Sequence, residues 1–372
     1  MEPNNEIKKG LAGVLVDETT ISKVMPETNS LTYRGYPVQD LCEHKCFEEV
    51  AFVLVNGELP NASELQDFQN KERNARSISD DLLDAIKLLP KGAHPMDTLR
   101  TGVSFLGCED PRIWDSSPET NMDKFISLLA KIPTIIAACY RSENGKDFIA
   151  PDANLGMSAN FFHMCFGEVP ADEVVKAFDV SLILYAEHSF NASTFTSRVI
   201  ASTTSDIYSA VVGGIGALKG PLHGGANEQV MHMLKEVADP DKAEAWMMDA
   251  LAQKKKIMGF GHRVYRSGDS RVPTMKKFCQ KVAEFTGGQK WVEISNKLEE
   301  TMVREKGIYP NLDFPAGPAY YMMGFEIEMF TPIFVMSRIT GWAAHIMEQN
   351  ASNKLIRPLS AYTGVAQREV PT

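Results

Sequence analysis

The chain is poor in cysteine, with six residues among 372, scattered at positions 42, 46, 108, 139, 165 and 279. That scarcity excludes a disulfide framework of the kind that small secreted domains need. The stretch "CEHKC", residues 42 to 46, has a faint look of a metal clip. No second ligand pair stands at a standard spacing, so half-buried thiols on a helix are the better reading and no metal is expected. Positive charge is also short: 38 Lys and Arg against 48 Asp and Glu, a net charge of −10. A general nucleic-acid binder needs a basic face to displace phosphate counterions, so that class is excluded. A small anionic ligand is not, because a few arginines can build a local positive pocket.

Long apolar runs are missing too. The longest apolar region, "MFTPIFVMSRITGWAAHIM", contains Pro332, Arg338 and His345, a poor composition for a membrane span. The opening "MEPNNEIKKG" has no apolar core of a targeting peptide, so a cytoplasmic location is expected. There is no repeat, no low-complexity tract and no alternation of strands with helices of the kind that builds a parallel sheet. "GFGHR" lacks the third glycine and the preceding strand of a dinucleotide fingerprint, which excludes a dehydrogenase of that type.

What is present is helical periodicity in a chain long enough for about two or three domains of ordinary size. "GVLVDETTISKV" and "LTYRGY" read as a small hairpin or two short strands. From about Val38 onward helices dominate. Asp80 is a candidate cap for the helix bearing Leu82, Leu83 and Ile86. Pro133 is expected to bend or split the apolar helix in "NMDKFISLLAKIPTIIAACYRSENG". "DEVVKAFDVSLILYAEH" is apolar nearly all round, hence buried. In "TSDIYSAVVGGIGALKG", Gly213, Gly214 and Gly216 permit close packing. Between Gly224 and Gly324 charge rises and loops become glycine-rich. Residues 224–324 therefore read as a smaller helical domain inserted into a larger one made of 1–223 and 325–372, with a ligand cleft between the two.

Three of the eight histidines stand at breaks in helices: His188 in "YAEHSFNAST", His223 in "GPLHGGANEQV" and His262 in "IMGFGHRVYRSGDSR". Gly220, Gly224 and Gly225 around His223 would clear bulk for a ligand. His44 reads as solvated, His163, His232 and His345 as structural, and His94 equally as a cap or a functional group. Arg338 interrupts an apolar helix, and a buried guanidinium needs an internal or ligand carboxylate. Arg271 and Arg357 add forks that match carboxylates. Asp313, in "YPNLDFPAGPAY", sits among apolar and rigid neighbours that should raise its pKa and suit it as a base. An Asp that only caps the next helix is the competing reading.

"GPLHGGAN", "IMGFGHRVY" followed by "DSR", "PNLDF", "RITGWAAHIMEQ" and "IRPLSAYTG" together resemble the citrate synthase family, and within it the short bacterial branch of citrate and 2-methylcitrate synthases. The resemblance runs from "KGLAG" to "YTG", nearly the whole chain. It implies an all-α, two-domain homodimer in which the smaller domain closes over the substrates. It implies catalytic roles for His223, His262 and Asp313. It places oxaloacetate on His188, Asn191, Arg271 and Arg338, with Arg357 reaching over from the partner subunit. Coenzyme A would lie along Lys256, Ile257, Met258, Gly259, Phe260 and Gly261, with Arg266 and Lys306 near its phosphates. No permanently bound cofactor is implied; acyl-CoA is a co-substrate. Ser270 stands where many members have proline, with the arginine retained. A non-catalytic scaffold would be expected to lack one of His223, His262 or Asp313, and all three are present.

Overall fold

The computed structural model describes residues 7–265 and 268–371. Near the N-terminus, β1 (Ser22–Met25), β2 (Ser30–Tyr33) and β3 (Tyr36–Pro37) form a small antiparallel meander with Ser22 opposite Tyr33. The third strand goes beyond the hairpin expected from the sequence. It arises because Arg34, at φ 48, and Gly35, at φ 89, turn the chain back on itself.

Helices carry the remainder. They are α1 (Val38–His44), α2 (Phe47–Asn56), α3 (Ala62–Ala75), α4 (Asp80–Leu88), α5 (Pro95–Glu109), α6 (Pro118–Glu143), α7 (Met157–Phe166) and α8 (Asp172–Tyr185). There follow α9 (Ala192–Ala201), α10 (Ile207–Leu218), α11 (Ala226–Val237), α12 (Ala243–Ala252), α13 (Val272–Thr286), α14 (Gln289–Lys306), α15 (Asp313–Met322) and α16 (Phe330–Ala351). The mainly helical fold with a small N-terminal sheet is the one the sequence pattern calls for. No helix among the described residues is long and apolar enough to cross a membrane.

Several local expectations are corrected. The cap of α4 is Ser79, whose Oγ accepts the Leu82 N–H at 3.1 Å; Asp80 is the first helical residue. Pro133 lies inside a continuous α6 and does not split it. Its ring removes one backbone donor, and the packing of a buried 26-residue helix outweighs that loss. His232 is exposed on α11 rather than packed. Gly213 and Gly214 do meet close neighbours, but a Cβ on Gly216 would find open space.

The part of the core that matters for function is the crossing of α8 and α16. Both are buried along most of their length. Gly341 makes the close approach possible: a Cβ there would lie 2.6 Å from the Ala186 carbonyl oxygen and would also strike the Glu187 carboxylate. Above the crossing, the Tyr33 hydroxyl lies 3.0 Å from the carbonyl oxygens of Ile183 and Glu187, tying β2 to the end of α8. Gly341→Ala should therefore destabilise the protein by about 1–3 kcal/mol despite the better helix propensity of alanine. Urea unfolding reads this directly, and an unchanged midpoint would show that α16 can slide to make room.

Candidate active site

The chain leaves α8 at Tyr185 and enters α9 at Ala192, and His188 and Asn191 sit in the connection. Ser189 holds φ 52 there, a left-handed turn within the connection. Asn191 caps α9 through its Oδ1, which accepts the Thr194 N–H at 3.1 Å. His223 occupies the tight turn between α10 and α11. Gly224 and Gly225 beside it serve that turn: a Cβ on Gly224 would lie 2.7 Å from the Leu218 carbonyl oxygen, and one on Gly225 3.0 Å from that of Lys219.

His262 follows two glycines in the left-handed region, Gly259 at φ 82 and Gly261 at φ 79. This loop is laced to the segment before α15. The Gly261 N–H donates to Tyr309 O at 2.8 Å, the Asn311 N–H to Gly259 O at 2.9 Å, and Asn311 Nδ2 to Gly261 O at 3.0 Å. Asn311 Oδ1 then accepts the backbone N–H of Asp313, the first residue of α15, at 3.1 Å.

His188, Asn191, His223, residues 256–261, His262, Arg271, Asp313 and Arg338 line one cleft of about 920 Å³. The His188 and His262 rings are 5.0 Å apart. Arg357 does not line this cleft; it lies exposed in the extended segment after α16. Lys306 ends α14 on the surface, away from the cleft lining. Arg266 lies outside the described residues.

Electrostatics differ sharply among these groups. Arg338 is 1% exposed. Its Nε donates to Tyr185 O at 2.7 Å, its guanidinium covers the Phe334 ring at 4.8 Å, and Nη1 has no hydrogen-bond partner. Burial pushes its pKa down to about 10, opposed by the Glu187 carboxylate. Arg271 spends its fork on Asp269, with Nε to Oδ1 at 2.9 Å and Nη2 to Oδ2 at 2.7 Å. His188 is buried with Nε2 unpartnered, and burial, Arg271 and His262 hold its pKa well below the ordinary value. His223 is pushed down to about 3 by burial and by Arg338. His262 is pushed down to about 4 by burial and Arg271. Its Nδ1 accepts the backbone N–H groups of Val264, at 3.0 Å, and Tyr265, at 3.3 Å, so its single proton sits on Nε2. Burial raises Asp313 to about 6, against the Tyr185 hydroxyl, which donates to Oδ1 at 2.7 Å.

Four contributors escaped the sequence reading: Ser193, Asp269, Asn311 and Tyr185 as the partner of Asp313. Asp269 and Asn311 each stand two residues before a singled-out charge, a spacing that lets a side chain reach the following backbone. Ser193 and Tyr185 left no such signal.

A helical cleft with imidazoles held neutral, a buried carboxyl raised to about 6 and unpartnered buried polar atoms holds the groups that acid–base chemistry needs. The family model for the C-terminal domain of citrate synthase matches residues 10–359. The chain is 59% identical to a 2-methylcitrate synthase of Mycobacterium tuberculosis over 366 residues, 98% of this chain and 93% of that one. It is 57% identical to a citrate synthase of Mycolicibacterium smegmatis, covering 98% and 97%. Among solved structures, citrate synthase from the archaeon Thermoplasma acidophilum, in a ternary complex with carboxymethyl coenzyme A and oxaloacetate, superposes with a TM-score of 0.93 at 32% identity, covering 98% of each chain. The chain belongs to the citrate synthase family, and it is an acyltransferase.

Tyr185→Phe removes the one hydrogen bond that holds the Asp313 carboxyl down. Its titration should move above the present value of about 6, as followed by 13C NMR of the labelled carboxyl. An unmoved titration would mean that the hydroxyl does not stabilise the carboxylate.

Proposed function

We propose that the protein condenses acetyl-CoA with oxaloacetate and hydrolyses citryl-CoA to citrate and CoA. 2-Methylcitrate synthesis from propionyl-CoA is the alternative or a second activity. Relatives bearing both names lie within two percentage points of identity. One methylene changes binding by only about 1–3 kcal/mol, so a single pocket can serve both. The observation that carries the reading is the pair of buried, unpartnered polar atoms, His188 Nε2 and Arg338 Nη1. Their residues line the same cleft as His223, His262 and Asp313, and a dicarboxylate keto acid would supply the carboxylates that these side chains can pair with.

In this scheme Asp313 takes a proton from the carbon next to the thioester. A carboxyl at about 6 is ionised at neutral pH yet more basic than an ordinary aspartate. His223 donates an N–H to the enolate oxygen. A ring with a pKa of about 3 stays neutral and gives up little to the enolate beyond that hydrogen bond. His262 Nε2–H polarises the keto carbonyl that the carbon attacks, and its fixed tautomer supports this role. Water then cleaves the thioester and releases CoA. Coenzyme A would follow residues 256–261, with Arg266 and Lys306 toward its phosphates. No bound cofactor enters the scheme.

Charge accounting supports a second subunit. Arg271 is matched by Asp269, and Glu187 is the carboxylate that most favours the charge of Arg338 without pairing with it directly. A dianion entering this balance calls for another cation, and Arg357 of the partner subunit would supply it. The protein would then be a cytoplasmic homodimer whose residues 224–324 close over 1–223 and 325–372.

Thiol release with oxaloacetate, comparing kcat/KM for acetyl-CoA and propionyl-CoA, tests the function. Asp313→Ala should lower kcat by about 10²–10⁴-fold with the fold intact; an undiminished rate would remove Asp313 from the mechanism. Because the base must be ionised, the rate should fall as pH drops through about 6. A profile flat from pH 7 to 5 would place the essential base elsewhere.

A further inference from the structure

Between His262 and Arg271 the chain carries two buried hydroxyls. Tyr265 is 4% exposed and Ser270 3%, and their side-chain oxygens lie 2.9 Å apart. Each residue is also tied elsewhere. The Tyr265 N–H donates to His262 Nδ1 at 3.3 Å, and its ring centre is 4.8 Å from that of His262, with the planes inclined by 50°. The Ser270 carbonyl accepts from Gln39 Nε2 on α1 at 2.9 Å. Its neighbour Asp269 grips Arg271 and reaches the Leu312 N–H. Ser270 thus stands on well-anchored backbone, while Tyr265 belongs to the His262 turn.

The His262 ring itself has little to hold it. Among the described residues, its hydrogen bonds both fall on Nδ1, from the N–H groups of Val264 and Tyr265. Bonds made within one turn move with that turn and do not fix it in the cleft. The rings beside His262 are Tyr265 and, at 5.0 Å, His188. Only the tyrosine is joined by its side chain to the anchored segment. A phenol buried with its ring needs a partner for its oxygen, and Ser270 Oγ provides one. Without that partner the hydroxyl would turn toward water, and the ring would move with it.

We propose that Ser270 is a positioning residue for His262: its hydroxyl fixes the Tyr265 ring, and that ring sets the plane and depth of the imidazole in the cleft. This rests on the reading of His262 as the group that polarises the keto carbonyl. It is a device of this chain. Proline, which many family members have at this place, carries no hydroxyl and would leave the tyrosine oxygen without this partner.

Two measurements on the full-length enzyme test it. The first needs no turnover: 13C relaxation of the His262 ring without ligand, the signal assigned by its loss in His262→Asn. Ser270→Ala should loosen the ring, and Ser270→Thr, which keeps a hydroxyl, should not. Equal mobility in the wild type and Ser270→Ala overturns the proposal. The second is thiol release. Ser270→Ala should lower kcat about threefold to tenfold, the reach of one hydrogen bond, with KM for oxaloacetate changed by less than about twofold. Tyr265→Phe should match it, and the double variant should fall no further, because both changes remove one contact. Ser270→Thr should restore kcat. A raised KM with kcat unchanged would place the effect on Arg271 next door and overturn the proposal. If Tyr265→Phe does not fold, the serine series decides alone. A wild type that binds oxaloacetate but releases no thiol from either acyl-CoA would defeat the functional reading instead, and the relaxation result would still decide the role of Ser270.

Discussion

Arg338 is a guanidinium in the interior of an apolar helix, and the cleft is organised around making that tolerable. An unpaired charge in such a place is strongly destabilising. Here the carbonyl of Tyr185, the face of Phe334 and the nearby charge of Glu187 share the task. They do so because α8 ends where α16 crosses it, at a contact that only glycine at 341 allows. The Tyr185 carbonyl at the end of α8 meets the cation, and the loop that follows carries His188 and Asn191 into the same space.

That one crossing links stability to function. The positive charge of Arg338 also reaches His223, where it adds to burial in keeping the ring neutral. It reaches Asp313, where it favours the carboxylate against the larger effect of burial. The second guanidinium, Arg271, is held by Asp269, whose Oδ2 also lies 3.3 Å from the Leu312 N–H beside Asp313. The His262 loop, the Asp269–Arg271 pair and the start of α15 are thus hydrogen-bonded into a single unit. On the proposed scheme these groups would act in one transition state, and shared rigid contacts are the best way to hold them for that.

Much of this was legible in the chain. The apolar, all-round character of "DEVVKAFDVSLILYAEH" located a buried helix, and α8 is one. Arg338 inside an apolar helix announced a buried charge, and it is buried. The glycines around His223 were read as room for a ligand, and at Gly224 and Gly225 a Cβ would also strike the backbone of the turn itself, which sequence does not show because it reveals a missing side chain without what would collide with it. The cap of α4 was assigned one residue late, since Ser79 and Asp80 are both good caps and only the hydrogen bond distinguishes them. Ser193 was overlooked because serine is not unusual where it stands; its meaning lies in a contact with His223, 30 positions away, where its Oγ is 2.9 Å from Nε2.

The sequence by itself determined the helical class, the acidic balance, the scarcity of cysteine and the identity of the chemically able side chains. Those follow from periodicity and from the properties of single residues, which are local. Tertiary structure alone decided which of them are neighbours, which imidazole nitrogen holds its proton and how far each ionisation is displaced. Those depend on distances between segments far apart in the chain, and on water excluded by packing that no single segment can provide.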